Sequence, residues 1–314
     1  MQGLVTVFGG SGFVGAQVVR ALAKHGHRIR VAVREPSAAY RMRMLGDVGQ
    51  IEVVQANIRT PDSLGRALDG AQGCVNLVGV LRSAGRQSFE AVHVDGARHV
   101  AAAAKAAGAT RLVQVSAIGA HAGAASKYAR SKAAGEVAAR EAFPDATILR
   151  PSIVFGHEDS FFNRFGQMAA SAPVLPVVGG ATRFQPVFVG DVANAAANAL
   201  LEPASAGAVY ELGGPSIYSF KALIALILRE TGRSPLVLDL PFGAASLIGV
   251  AGDLGLAPLT TDQVTLLRSD NIVADGALGL ADLGVTATPV EAVVPSYLYR
   301  YRKGGQYAEA LNAG

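Results

Sequence analysis

The 314-residue sequence has no tryptophan, a single cysteine, few aromatics (6%) and few charges (17%). One cysteine excludes an intramolecular disulfide and any cysteine metal cluster. Cys74 lies in the apolar run Cys74-Val75-Asn76-Leu77-Val78 and reads as a small buried hydrophobe in a reducing compartment. The net charge is only +4, and the basic residues are scattered without interleaved aromatics, so no nucleic-acid partner is expected. The densest basic cluster is Arg28, Arg30, Arg34, Arg41 and Arg43. The six histidines (His25, His27, His93, His99, His121, His157) show no metal-ligand spacing with acidic or cysteine partners, and no metal is expected. His93 and His99, six apart in a helical pattern, read as facing different sides. No apolar run reaches the ~18 residues of a membrane span. The nearest, residues 236–259, is broken by Asp239, Pro241, Asp253 and Pro258 and reads as helices packed on a core or a partner. No signal segment is recognised, because residues 4–8 run straight into a glycine-rich turn, and a cytoplasmic location is expected, with at most peripheral membrane contact.

Against these absences, half the residues are apolar and 37 are glycine. The first half alternates short apolar, β-branched runs (4–8, 29–33, 51–55, 73–77, 111–116, 146–149) with helical patterns (13–24, 61–68, 90–107, 127–142). Runs of this kind mark parallel strands buried on both faces. The fold expected is α/β, a doubly wound parallel Rossmann sheet followed by a smaller, mostly helical C-terminal region. Residues 1–155 form the expected dinucleotide-binding domain, with 184–204 packing back on it; 156–314 form the substrate or partner region. A last helix is expected over 290–301 and a frayed tail after Lys303.

The strongest local motif is Gly9-Gly10-Ser11-Gly12-Phe13-Val14-Gly15, a strand-to-helix turn with glycines at GxxGxxG spacing. The first glycine permits the turn, the second lets backbone approach a pyrophosphate, and the third lets helix pack on strand. The second strand then ends in Arg34, where an NAD site usually places an acid. A guanidinium there suits a 2′-phosphate, so NADP(H) is expected, with NAD(H) left open by the adjacent Glu35. Tyr128 and Lys132 stand at i and i+4 of a helical pattern, where an ammonium would favour phenolate and lower the tyrosine pKa. Ser116, at the end of the preceding strand, could hold a substrate oxygen.

Gly9/Gly12/Gly15, Ser116, Tyr128, Lys132 and Arg150-Pro151-Ser152-Ile153-Val154-Phe155-Gly156 together resemble the short-chain dehydrogenase/reductase superfamily in its extended or atypical branch. The resemblance implies catalytic roles for Ser116, Tyr128 and Lys132. It places Pro151, Ser152 and Ile153 at the nicotinamide, Asn57 and Ile58 near the adenine, and Val78 and Gly79 along the cofactor cleft. A longer resemblance rests on residues 46–50, 128–136, 155–163 and 282–289 and covers nearly the whole chain. These look like the nucleotide-binding accessory-subunit family of respiratory complex I, in its bacterial members. That resemblance implies a mainly structural NADPH and a place in the peripheral arm of the complex. Retention of Ser116, Tyr128 and Lys132 keeps the alternative open: an NADPH-dependent oxidoreductase or epimerase acting on a small or apolar carbonyl or quinone-like substrate. Phe161, Phe162, Phe165, Met168 and Phe184 read either as ordinary core or as the lining of an apolar pocket.

Overall fold

The computed structural model describes residues 2–253, 255 and 259–305, and the chain divides into two compact units. The first opens with strand β1 (Gln2–Phe8), helix α1 (Phe13–Lys24), β2 (His27–Val33), β3 (Ile51–Gln55), α2 (Leu64–Leu68), β4 (Gly73–Asn76), α3 (Asp95–Ala106), β5 (Arg111–Val115), α4 (Lys127–Ala142) and β6 (Thr147–Pro151). The chain then leaves for the second unit through β7 (Val154–Phe155), α5 (Phe161–Ser171), β8 (Val174–Val178), β9 (Arg183–Phe184) and β10 (Val187–Phe188). It returns with α6 (Val189–Leu201) and β11 (Val209–Leu212). It leaves again with β12 (Tyr218–Ser219), α7 (Phe220–Thr231), β13 (Leu236–Leu240), α8 (Phe242–Asp253) and α9 (Thr261–Leu266), and ends with α10 (Val290–Val293) and α11 (Pro295–Leu298).

In the first unit, seven parallel strands run in the order β11-β6-β5-β4-β1-β2-β3. The strand order reverses between β1 and β4, and in such sheets ligands bind outside the carboxyl ends of the strands at this reversal. β-Branched and aliphatic side chains drive the sheet: Val7, Val31, Val75, Val113, Ile148 and Leu149 are all buried. Alanines 97, 101 and 104 on α3 let that helix lie close to the core that holds Leu64, Leu68 and Leu112.

The unit boundary falls after Pro151 rather than 155, residues 184–188 stay in the second unit, and residues 274–286 rejoin the first. That last return is fixed by long-range pairing: Ala274 N–H donates to Glu211 at 2.9 Å and Glu211 N–H to Leu278 O at 2.8 Å. Nothing local in residues 274–286 announces it.

The second unit packs around Phe155, Phe162, Phe184, Phe220 and Tyr297. Phe161, Phe165 and Met168 pack against the same cluster, so these five candidates at 161, 162, 165, 168 and 184 are core. Asp159 explains the polar end of the motif over 155–163. Its carboxylate accepts from the N–H groups of Gly156, Phe162 and Asn163 and from the Tyr297 hydroxyl at 2.5 Å. Residues 236–240, expected as helix, form a strand paired in parallel with β8. Asp239 and Pro241 belong to its end and to the turn into α8, and residues 254 and 256–258 of that apolar stretch lie outside the described residues. The single helix expected over 290–301 is broken at Pro295, which lacks the N–H that would continue it. Of the tail after Lys303, residues 306–314 lie outside the described residues.

Candidate dinucleotide site

The turn between β1 and α1 is built from what glycine lacks. Gly9 has φ +77°, the left-handed region that side chains avoid. A Cβ at Gly15 would meet the Gly9 carbonyl oxygen and sit 2.7 Å from Gly10 Cα, so only glycine lets α1 start this close to the turn. Gly12 caps α1 with no side chain, and no acid stands in its first turn. The helix therefore begins with open N–H groups and an uncompensated partial positive charge.

Beside this turn lies a cleft of 310 Å³, wholly within the first unit. Gly9, Ser11, Gly12, Arg34, Asn57, Ile58, Val78 and Gly79 all line it. The structure thus brings eight of the residues singled out from sequence to one cleft, and Ser116, Tyr128 and Lys132 are not among its lining. Gly10 and Phe13, Val14 and Gly15 belong to the same turn and first helical residues without lining the cleft. Buried Asn76 shapes the wall: its amide donates to Gln114 at 2.9 Å and its carbonyl oxygen accepts from Val78 N–H at 3.2 Å. Pro151 closes β6, where its carbonyl accepts from Ile118 N–H at 3.1 Å. Ser152 and Ile153 open the second unit, and the Ser152 hydroxyl is engaged there by Asn271, at 2.7 Å to the side-chain oxygen. His157 also lies in the second unit, its ring against Tyr297.

At the carboxyl end of β5, Ser116 is buried and its hydroxyl has no hydrogen-bond partner among the described residues. An orphaned buried hydroxyl is uncommon and costs about 1–3 kcal/mol, so a ligand oxygen is its natural complement. Tyr128 and Lys132 share one face of α4. The Lys132 ammonium donates to Val115 O at 3.1 Å. Burial pushes Lys132 down to about 8, against the pull of Glu136 one turn on. Tyr128 departs from the sequence reading: burial raises its phenol to about 12 instead of the neighbouring ammonium lowering it. In this state Tyr128 is a proton donor, not a phenolate.

His93 was not among the site residues read from sequence, yet it touches Val80, Ser131 and Tyr128. The helix expected over 90–107 begins with a π-helical turn, Glu90–Val94, that carries His93 inward. Gly135 on α4 makes room, since a Cβ there would run into the His93 carbonyl. His93 Nε2 accepts from Val80 N–H at 3.0 Å, which leaves the proton on Nδ1, 2.8 Å from Ser131 Oγ; that hydroxyl donates to Tyr128 O. The ring meets Tyr128 edge-on with centroids 5.5 Å apart, and Phe89 stacks on it at 5.4 Å. A Cβ on Gly79 would stand 3.5 Å from both His93 Nε2 and the Lys132 ammonium, an ordinary contact that places Gly79 against both groups. His99, expected to face elsewhere, also fastens a cleft loop: its Nδ1 lies 2.9 Å from Ile58 O. Side-chain periodicity could not show this, because both histidines act on backbone far away in sequence.

Burial first, and the Lys132 charge second, lower His93 to about 3. A histidine whose folded pKa lies below its unfolded value binds fewer protons when folded, so stability is complete above about pH 6.5 and declines as pH falls toward 3. His93→Asn is therefore expected to flatten the loss of urea stability between pH 7 and pH 4.5 by about 2 kcal/mol relative to wild type. Parallel pH profiles for the two proteins would contradict this.

A cradle that any Cβ would fill, an open helix start and an unpartnered Ser116 hydroxyl fit a nicotinamide dinucleotide. The β1–α1 turn would hold its pyrophosphate, and the cofactor would supply or accept hydride; Ser116 and Tyr128 would bind and protonate an acceptor oxygen, with Lys132 beside them.

Comparison with known proteins agrees with this architecture. The NAD dependent epimerase/dehydratase family matches residues 5–213. The chain is 34% identical to NADH dehydrogenase [ubiquinone] 1 alpha subcomplex subunit 9, mitochondrial, of Arabidopsis thaliana, over 97% of this chain and 80% of that one. It is 40% identical to a ceramide reductase of Caulobacter vibrioides over 61% of this chain and 59% of that one. In three dimensions it resembles an Escherichia coli NADPH-dependent quinone oxidoreductase complexed with NADPH, with TM-score 0.74, 22% identity and coverage of 94% and 98%. This chain, with its NAD(P)-binding fold, therefore belongs to the NAD dependent epimerase/dehydratase family, in the group that includes the subunit 9 proteins of NADH dehydrogenase.

Proposed function

We propose that the protein binds NADP(H) as a mainly structural cofactor and serves as an accessory or assembly subunit of a respiratory NADH dehydrogenase, held at the membrane face through its partners. The observation that carries the cofactor assignment is the cleft's chemistry: Arg34 lines it, and no carboxylate does. An acid that would take the ribose 2′-OH of NAD is missing there, while a guanidinium suits the 2′-phosphate of NADP. Glu35, adjacent to Arg34, does not line the cleft. The subunit assignment is supported by relatives of that name aligned over 95–97% of the chain. Among the described residues no helix is long and apolar enough to cross a membrane, in keeping with attachment through other chains. A resident cofactor at a hundred times its dissociation constant adds about 2.7 kcal/mol of stability, enough to make it a structural element.

NADPH is expected to bind at least tenfold tighter than NADH, and Arg34→Ala to remove most of that preference; fluorescence titration of both cofactors decides it. Equal affinities in wild type reject the assignment of Arg34.

A second reading is favoured by one observation, the Ser116 hydroxyl that has no hydrogen-bond partner among the described residues, in a chain that also keeps Tyr128 and Lys132 on one face of α4. It is an NADPH-dependent reductase of an apolar carbonyl, in line with the ceramide reductase relative. The two separate in one assay. Bound NADPH that persists in the presence of long-chain ketones and quinones supports the structural role; oxidation lost in Tyr128→Phe supports the reductase.

A further inference from the structure

The cleft beside the β1–α1 turn contains two cations, and the sequence motif accounts for only one. Arg34 and Arg59 are its charged lining residues. Three arginines of this unit are held by carboxylates, Arg30 by Glu52, Arg98 by Asp95, and Arg150 by Glu136 and Glu211, whereas Arg111, Arg130 and Arg140 donate to backbone carbonyls outside the cleft. Among the described residues neither Arg34 nor Arg59 has a carboxylate partner.

Their settings differ. Arg34 is exposed, and its guanidinium makes no hydrogen bond among the described residues. Arg59 is half-buried and pinned at two points. Its Nε donates to Asn57 Oδ1 at 3.4 Å and its Nη1 to Arg86 O at 2.7 Å. The Asn57 oxygen also takes the Arg59 backbone N–H at 3.2 Å, so Asn57 serves to aim this side chain. Arg86 stands in a tight turn closed by paired backbone hydrogen bonds between Ala84 and Gln87, and Gln87 itself lines the cleft. Arg59 Nη2 is left without a partner among the described residues. A half-buried guanidinium held only by neutral oxygens keeps its whole charge for an anion, and a pre-positioned fork loses little entropy when it binds one.

We propose that Arg59 is a second specificity-determining residue: with Arg34 it forms a two-guanidinium clamp for a phosphomonoester on the nucleoside in this cleft, the 2′-phosphate of NADP(H). This rests on the NADP(H) reading and adds that the fixed half of the clamp comes from the loop after β3, not from the end of β2.

The test is calorimetric titration of the full chain with 2′,5′-ADP and with 5′-AMP, which share everything but the 2′-phosphate. Wild type is expected to bind 2′,5′-ADP at least tenfold tighter. Arg59→Ala is expected to weaken 2′,5′-ADP about tenfold and 5′-AMP less than twofold, with Arg59→Lys between the two because it keeps the charge and loses the fork. If Arg59→Ala weakens both nucleotides alike, Arg59 only props the loop at Arg86 and the proposal falls. If Arg59→Ala weakens neither while Arg34→Ala removes the preference, Arg34 acts alone and the proposal falls with the NADP(H) reading intact. If wild type does not discriminate, the NADP(H) reading itself is wrong.

Discussion

Replacing Gly15 with alanine is expected to abolish NADPH binding and to destabilise the protein by about 3 kcal/mol. The added Cβ would meet backbone, the Gly9 carbonyl oxygen and Gly10 Cα, not the movable end of a side chain. Either α1 lifts off the turn or the turn unwinds, and both movements disperse the N–H groups that face the cleft. Gly12→Ala is the informative companion. The nearest atom to a Cβ there is Gly9 O at 3.5 Å, an ordinary contact, and φ −79° suits any residue. Gly12→Ala is thus expected to fold with a stability within about 0.5 kcal/mol of wild type and yet to lose NADPH affinity, because the new methyl stands where backbone must approach the pyrophosphate. Urea unfolding and NADPH titration of the two variants check the distinction. Equal destabilisation by both would show that the loop is only a packing device.

Arg150→Met is expected to cost about 3–5 kcal/mol. Arg150 on β6 grips Glu136 of α4 with two parallel hydrogen bonds, 2.9 and 2.7 Å, and reaches Glu211 of β11 at 3.5 Å. All three are largely buried, with side-chain exposures of 24%, 9% and 13%. Removing the cation leaves two desolvated carboxylates facing each other, which is worse than having no charges there. The same network anchors α4, the helix that carries Tyr128 and Lys132, so cofactor affinity is expected to fall along with stability. Adding Glu136→Leu to Arg150→Met is expected to recover part of the loss, and a double-mutant cycle by urea unfolding measures the coupling. Additive losses would mean that Arg150 and Glu136 are not an energetic unit.

The parts of this site visible in the sequence are those whose cause is local. The spacing of glycines 9, 12 and 15 follows from the geometry of one turn, and α1 and α4 run over the residues their periodicity indicates. The end of β2 at Arg34 could be read because an apolar run stops there. What could not be read depends on partners far along the chain. His93 matters through Val80, Ser131 and Tyr128, and a π-helical turn shifts it off the face that ordinary helical spacing assigns. Arg59 is one of many scattered arginines until Asn57 and Arg86 are seen to hold it. The raised pKa of Tyr128 reversed the sequence expectation because the Tyr-x-x-x-Lys spacing carries no information about burial. In the second unit, Asp239 and Pro241 looked like interruptions of helices, whereas they finish a strand whose partner, β8, lies 62 residues earlier (Leu236 opposite Val174).

The most direct measurement is equilibrium titration of the purified wild-type chain with NADPH and with NADH. A cleft with an open helix start and two guanidinium groups that have no carboxylate partner among the described residues should bind both, NADPH at least tenfold more tightly. Failure to bind either coenzyme would contradict the assignment of the β1–α1 turn, and a preference for NADH would contradict the reading of the arginine end.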